Sequence, residues 1–251
     1  MGKCNSVDEA PDGEDRRAAK AWLEGNERDL RTLTDLFSTG DVRVTRLEDP
    51  DSYYLSVPDA DSSPEEGRFD RVLSLIERIN GLARVYCASY QPVKLTGKYT
   101  DSNGENCQFI YVGGIPSASA VGAPTIYNAD NPPPDRPSPW PNRLALSDSN
   151  RDVAEVLAIL GQPEPLGWGD LYKVHEIVRE SIEPKKIHNL GWTDKTTDSA
   201  FTASANLRSV SGMEARHAKK KGNPKPKHTM TIDLGRAYIS DLVAKWIDII
   251  V

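Results

Sequence analysis

Trp22, Leu23, Leu30, Leu33, Leu36 and Phe37 recur at near-helical spacing, with Gly25 and Asn26 weakening the middle and Gly40 punctuating the end, which predicts a first helix. Val42 and Val44 then alternate with Arg43 and Thr45, and Tyr53 to Val57 is rich in strand formers. These two runs flank the turn Asp49-Pro50-Asp51 and predict a hairpin. Ser63-Pro64-Glu65-Glu66 sets a hydroxyl, a proline and a carboxylate where a helix start uses them, ahead of Phe69, Val72, Leu73, Ile76 and Ile79. After Asn80-Gly81 come apolar segments at 82–90 and 92–99. Asp101-Ser102-Asn103-Gly104 then leads into Cys107 to Val112, and the Asn-Gly pair fits a tight antiparallel turn. A further strand is predicted at 122–128.

The pattern changes at 130–141, where prolines are too dense for helix or ladder. Beyond it the spacing is helical. Ser149 can cap a helix carrying Val153, Val156, Leu157 and Leu160, which Gly161 and Pro163 end. A second helix, Asp170 to Ile182, sets Leu171, Val174, Val178 and Ile182 on one face and Lys173, Glu176 and Glu180 largely on another. A weaker helix is expected at 195–208, and a last one from about Ile232 to Ile250, where Asp241 and Lys245 can pair one turn apart.

The predicted class is α+β: an N-terminal, mostly antiparallel sheet with helices, followed by a C-terminal helical domain. The expected layout is a mobile acidic tail over 1–14, an α+β domain over 15–129, a proline-rich connector over 130–147 and a helical domain with a basic loop over 148–251.

Composition and charge narrow the chemistry. The 251 residues carry 27% charged and 38% hydrophobic side chains, enough apolar surface for a folded core. No apolar run reaches the ~20 residues of a membrane span, so no membrane association is expected. Three cysteines at wide spacing, Cys4, Cys87 and Cys107, do not suit a secreted disulfide framework and predict a reducing, cytoplasmic home. Neither paired Cys-x-x-Cys nor His-Glu-x-x-His spacing is present, so neither metal nor cofactor is predicted. Gly113-Gly114 lacks the rest of a phosphate loop, and the chain has no Gly-x-Ser-x-Gly elbow.

The strongest local anomaly is basic. Between Arg208 and Lys227 seven Lys or Arg face one acid, Glu214, a net +6 within a chain of −6 overall. Gly212, Gly222, Pro224 and Pro226 suit a loop presenting Arg208, Lys219, Lys220, Lys221, Lys225 and Lys227 to a partner. Such a loop can neutralise phosphates of RNA or DNA, or dock on an acidic protein surface.

Asp170-Leu-Tyr-Lys173-Val-His-Glu176-Ile, Gly191-Trp192, Ala205-Asn206 and Gly212-Met-Glu-Ala-Arg216-His217 look like a C-terminal helical module of bacterial proteins with no assigned activity. The stretch also loosely resembles the HEPN families, helical bundles of toxin and antiviral defence systems. That resemblance implies a metal-independent endoribonuclease. Its arginine and histidine would be Arg216 and His217, which are adjacent here although the family pattern separates them by several residues. Arg216 could stabilise phosphate charge and His217 exchange a proton, with Glu176 completing the candidate catalytic set. The other reading of these residues is an interhelical ion pair or cap with Glu176 or Asp170. His175 falls on the core side of its helix, where a hydrogen-bonded structural role is expected.

Overall fold

The computed structural model describes residues 18–48, 51–57, 65–108, 139–214 and 228–250. The expected acidic tail, the strand at 122–128, the Ser63-Pro64 helix start and residues 130–138 of the connector lie outside them.

The predicted first helix is two elements. Ala19–Glu24 is a strand, β1, and Glu27–Leu36 is a helix, α1, capped by the Asn26 side chain, which accepts from the Arg28 N–H. The apolar residues of β1 have period two: Ala19, Ala21 and Leu23 are buried, whereas Lys20 and Trp22 are half-buried. Gly25 and Asn26 are the break between elements, not a weak spot inside one.

The hairpin forms as expected from β2 (Arg43–Glu48) and β3 (Asp51–Val57). A 22-residue helix, α2 (Glu65–Tyr86), follows. It runs through Asn80-Gly81 and takes in most of the expected segment at 82–90, because both residues have work inside a helix. Asn80 is buried; its Nδ2 donates to the Val93 carbonyl at 2.9 Å, and its Oδ1 accepts from the Val93 N–H at 3.1 Å and the Tyr90 hydroxyl at 2.6 Å. Strands β4 (Lys94–Thr100) and β5 (Asn106–Gln108) close the turn around Asn103-Gly104, where Gly104 takes φ of 86°.

The sheet is fully antiparallel in the order β2-β3-β1-β4-β5. Its first six elements run β-α-β-β-α-β, the split βαβ arrangement. Ala21 pairs with Leu55 and Leu23 with Tyr53, so these side chains share the face that joins the apolar core with Leu30, Leu33, Val72 and Ile79.

Residues 140–147, expected in the connector, begin a helix, α3 (Trp140–Ser149), with Pro141 in its first turn, where proline costs no hydrogen bond. Ser149 ends α3 instead of capping the next helix. Asn150 is that cap, its side chain accepting from the N–H groups of Asp152 and Val153 at the start of α4 (Arg151–Leu160). Then come α5 (Trp168–Ser181), α6 (Lys195–Asn206), the short α7 (Arg208–Ser211) and α8 (Ile232–Ile250). The predicted Asp241–Lys245 pair forms at 2.6 Å.

The protein is therefore α+β, with the sheet N-terminal and most helices C-terminal. Among the described residues, the buried apolar side chains from Ala19 to Ile247 form one cluster that leaves out only Tyr54 and Ala200. α2 and α4 meet through two glycines: a β-carbon on Gly81 would lie 2.0 Å from the Leu157 carbonyl oxygen, and one on Gly161 would lie 1.8 Å from that of Glu77. Among the described residues no helix is long and apolar enough to cross a membrane.

Candidate nucleic-acid interface

Most of the basic stretch lies outside the described residues: Arg216, His217, Lys219, Lys220, Lys221, Lys225 and Lys227 belong to 215–227. Its first residues, and the chain that follows it from 228, are described. Arg208 opens α7, exposed, with Nη2 3.8 Å from the Met213 sulfur. Ser211, at the end of α7, donates its hydroxyl to the Ala205 and Leu207 carbonyls. On the return side the Met230 N–H donates to Ser204 Oγ at 2.8 Å, so both ends are tied to α6 and the turn after it.

Glu176 is half-buried on α5, with the Arg179 guanidinium 3.9 Å from its Oε1. Its neighbour His175 is the better-held group. Buried as expected, it bonds through Nε2 to Asp198 Oδ1 of α6 at 2.8 Å, and the Tyr238 hydroxyl of α8 donates to the same oxygen at 2.8 Å. Burial alone would raise the Asp198 carboxyl. The hydrogen bond and charge of His175, with the Tyr238 hydroxyl, outweigh it and hold the group below the usual aspartate range. Tyr238 is pushed up by burial and by the Asp198 charge and stays a donor. The His175 ring packs between Phe201, Tyr172 and Tyr238, and its Nδ1 is buried with no hydrogen-bond partner among the described residues. A histidine enclosed this way joins three helices; it offers no accessible nitrogen to a substrate. Among the described residues no group of three or more His, Cys, Asp or Glu could hold a metal ion.

The structure also builds a surface that the periodicity of Trp22 concealed. On the sheet face turned away from α1 and α2, two cross-strand rows run across the strands. One is Arg43, Ser56, Lys20, Thr100 and Asn106; the other is Thr45, Tyr54 and Trp22, continuing past an irregular register in β4 to Lys98 and Gln108. Among the described residues neither row contains an acid. Tyr54 is buried and forms the floor, with the Trp22 ring 5.7 Å away and tilted by 56°. Trp22 is fixed at its edge: Nε1–H donates to Thr100 Oγ1 at 3.1 Å, and the Thr100 hydroxyl donates to Asn106 Oδ1 at 2.9 Å. Exposed Lys98 sets its ammonium 4.2 Å from the Trp22 ring centre, and Lys20 sits 4.7 Å from that of Tyr54. The sequence signal for this face was the alternation in Ala19-Lys20-Ala21-Trp22-Leu23, which helical spacing with Leu30 outweighed.

Compared with protein-family profiles, curated proteins and solved structures, the chain matches none.

Proposed function

We propose that the protein binds nucleic acid, RNA foremost, through the basic stretch Arg208–Lys227. The observation that carries this reading is the concentration of charge: +6 within that stretch of a chain whose total is −6. Cations gathered in this way release counterions from a phosphate backbone, giving affinity that tolerates any sequence and falls with salt. The ties of Ser211 and Met230 to α6 and its end support it, since they anchor the chain on either side of 215–227 to the helical part.

The test is a gel-shift experiment with nucleic-acid-free protein, labelled single-stranded RNA and duplex DNA, in EDTA and across salt. The expected result is a shift on both probes that weakens with salt. Lys219→Gln/Lys220→Gln/Lys221→Gln should lower the salt slope by about two to three, near 0.9 for each duplex phosphate no longer neutralised. No shift at low salt overturns the reading and points to an acidic protein partner. The same gels read cleavage: RNA fragments that disappear in Arg216→Ala/His217→Ala would add a metal-independent ribonuclease to the binding function.

A further inference from the structure

We propose that the outer face of the sheet, centred on Trp22 between β1 and β4, is a second binding surface, which takes the unpaired bases of single-stranded RNA. This rests on the reading that the protein binds nucleic acid, and it names the form of nucleic acid that the basic stretch alone does not select.

Three observations carry it. The first is the ring itself. Trp22 is half-buried on the β1 strand at the centre of a five-stranded sheet, and the hydrogen bonds through Thr100 and Asn106 hold its edge. An indole fixed at its edge, with an exposed lysine over one face, is a stacking surface that any base can use once the lysine moves aside, whereas bases inside a duplex are already stacked on one another.

The second is the cation over that face. Lys98 Nζ lies 4.2 Å from the ring centre at the end of an exposed, flexible side chain. A base stacking on Trp22 takes the place of the ammonium, and the lysine then reaches the phosphate joining that base to the next. Ring and charge thus serve the two halves of one nucleotide. Displacing the ammonium forfeits one cation–π contact at an exposed site, which stacking and phosphate pairing together exceed.

The third is complementarity. Lys20 and Lys98 flank the ring, Asn106 and Gln108 at the β5 edge are exposed and carry amide donors and acceptors suited to base edges, and neither row holds an acid among the described residues. In a chain of net charge −6, two rows with cations and no acid among the described residues suit an anionic partner, Glu24 on the same face standing at the end of β1 opposite Lys94; the planar aromatic among the cations suits a partner with bases.

The experiment uses the full chain and a fluorescein-labelled oligouridylate of about a dozen nucleotides, a length comparable to single-strand site sizes of sheet-based binders, beside a duplex DNA of mixed sequence. Binding is read by anisotropy at one salt concentration and then across salt. Trp22→Ala should weaken oligouridylate binding about tenfold, as expected for removal of one base–aromatic stack, and leave duplex binding unchanged. Trp22→Phe should recover most of the loss. Lys98→Gln should reduce the oligouridylate salt slope by about 0.7, the value for one single-strand phosphate.

Should Trp22→Ala fail to fold, Lys98→Gln alters only an exposed side chain, and crosslinking of wild-type protein to 4-thiouridine RNA gives a readout without mutation. Crosslinks in peptides of β1 or β4 support the surface. Oligouridylate binding unchanged in both Trp22→Ala and Lys98→Gln, or crosslinks confined to 208–227, overturns it. The two proposals fail separately. Wild-type protein that binds duplex but not oligouridylate removes the sheet surface alone. Oligouridylate binding that depends on Trp22, with no probe affected by Lys219→Gln/Lys220→Gln/Lys221→Gln, removes the basic-stretch reading alone.

Discussion

His175 Nε2 and Asp198 Oδ1 lie 2.8 Å apart, and the Tyr238 hydroxyl reaches the same carboxylate oxygen, so one acceptor joins α5, α6 and α8. Because the Asp198 carboxyl is held below its unfolded range, its contribution to stability is complete above about pH 4, the ordinary aspartate value. It fades as pH falls through the lower, folded value. Asp198→Ala should cost about 2–3 kcal/mol at neutral pH by leaving two buried donors unpaired. Urea denaturation at neutral and acid pH checks this: the gap between wild type and variant should narrow toward low pH, and Tyr238→Phe should show a smaller loss.

Asn80 makes a different kind of tie, joining α2 to the chain entering β4 through three hydrogen bonds. Asn80→Ala should destabilise by about 3 kcal/mol, since the Tyr90 hydroxyl and both Val93 backbone groups lose their partner in a buried site. Tyr90→Phe should cost about 1 kcal/mol. In a double-mutant cycle the two losses should sum to more than the double variant shows.

Gly81 and Gly161 leave no space for a side chain, the obstacles being carbonyl groups of the facing helix. Gly81→Ala should therefore force α2 and α4 apart and cost about 3 kcal/mol, at the upper end of overpacking effects. Gly67, in the same helix with nothing within 4 Å of its β-carbon position among the described residues, is the control. Gly67→Ala should leave stability unchanged or raise it by a few tenths of a kcal/mol up to about 1 kcal/mol. Thermal denaturation of the two variants gives the comparison.

Burial pushes the Cys87 thiol up, and the nearby Asp29 charge adds to the effect, which leaves little thiolate at neutral pH. Cys107 is exposed on β5. Iodoacetamide at neutral pH, followed by peptide mass spectrometry, should modify Cys107 well before Cys87. The Cys87 rate should climb with pH through the alkaline range and rise sharply in urea.

The β2–β3 hairpin, α5 and α8 were legible in the sequence because each carries one unambiguous signal: alternating runs on either side of an Asp-Pro-Asp segment, or an apolar stripe at helical spacing. β1 was not, because Trp22 and Leu23 stand seven residues before Asp29 and Leu30 and fit a helix as readily as a strand. Only pairing with β3 and β4 decides between the two periods. Asn80-Gly81 reads locally as a turn, and only the distant contacts with Val93 and Leu157 explain why a helix keeps them. The candidate surfaces divide along the same line. The basic stretch is a matter of composition and is visible in one dimension. The Trp22 face depends on strand register, which brings Lys98 beside a ring seventy-six positions earlier in the chain.

α2 packs toward the sheet through Val72 and Ile79 and meets α4 at Gly81, so from Leu75 to Tyr86 none of its residues is fully exposed to water. Residues 18–108 produced alone would present the α4-facing side of that helix to solvent as an apolar strip broken by a carbonyl-sized notch, with a tendency to self-associate. Supplying 139–250 as a separate polypeptide would restore solubility by rebuilding the missing wall. Fragment complementation therefore becomes a natural assay for this protein, with the glycine notch as its point of recognition.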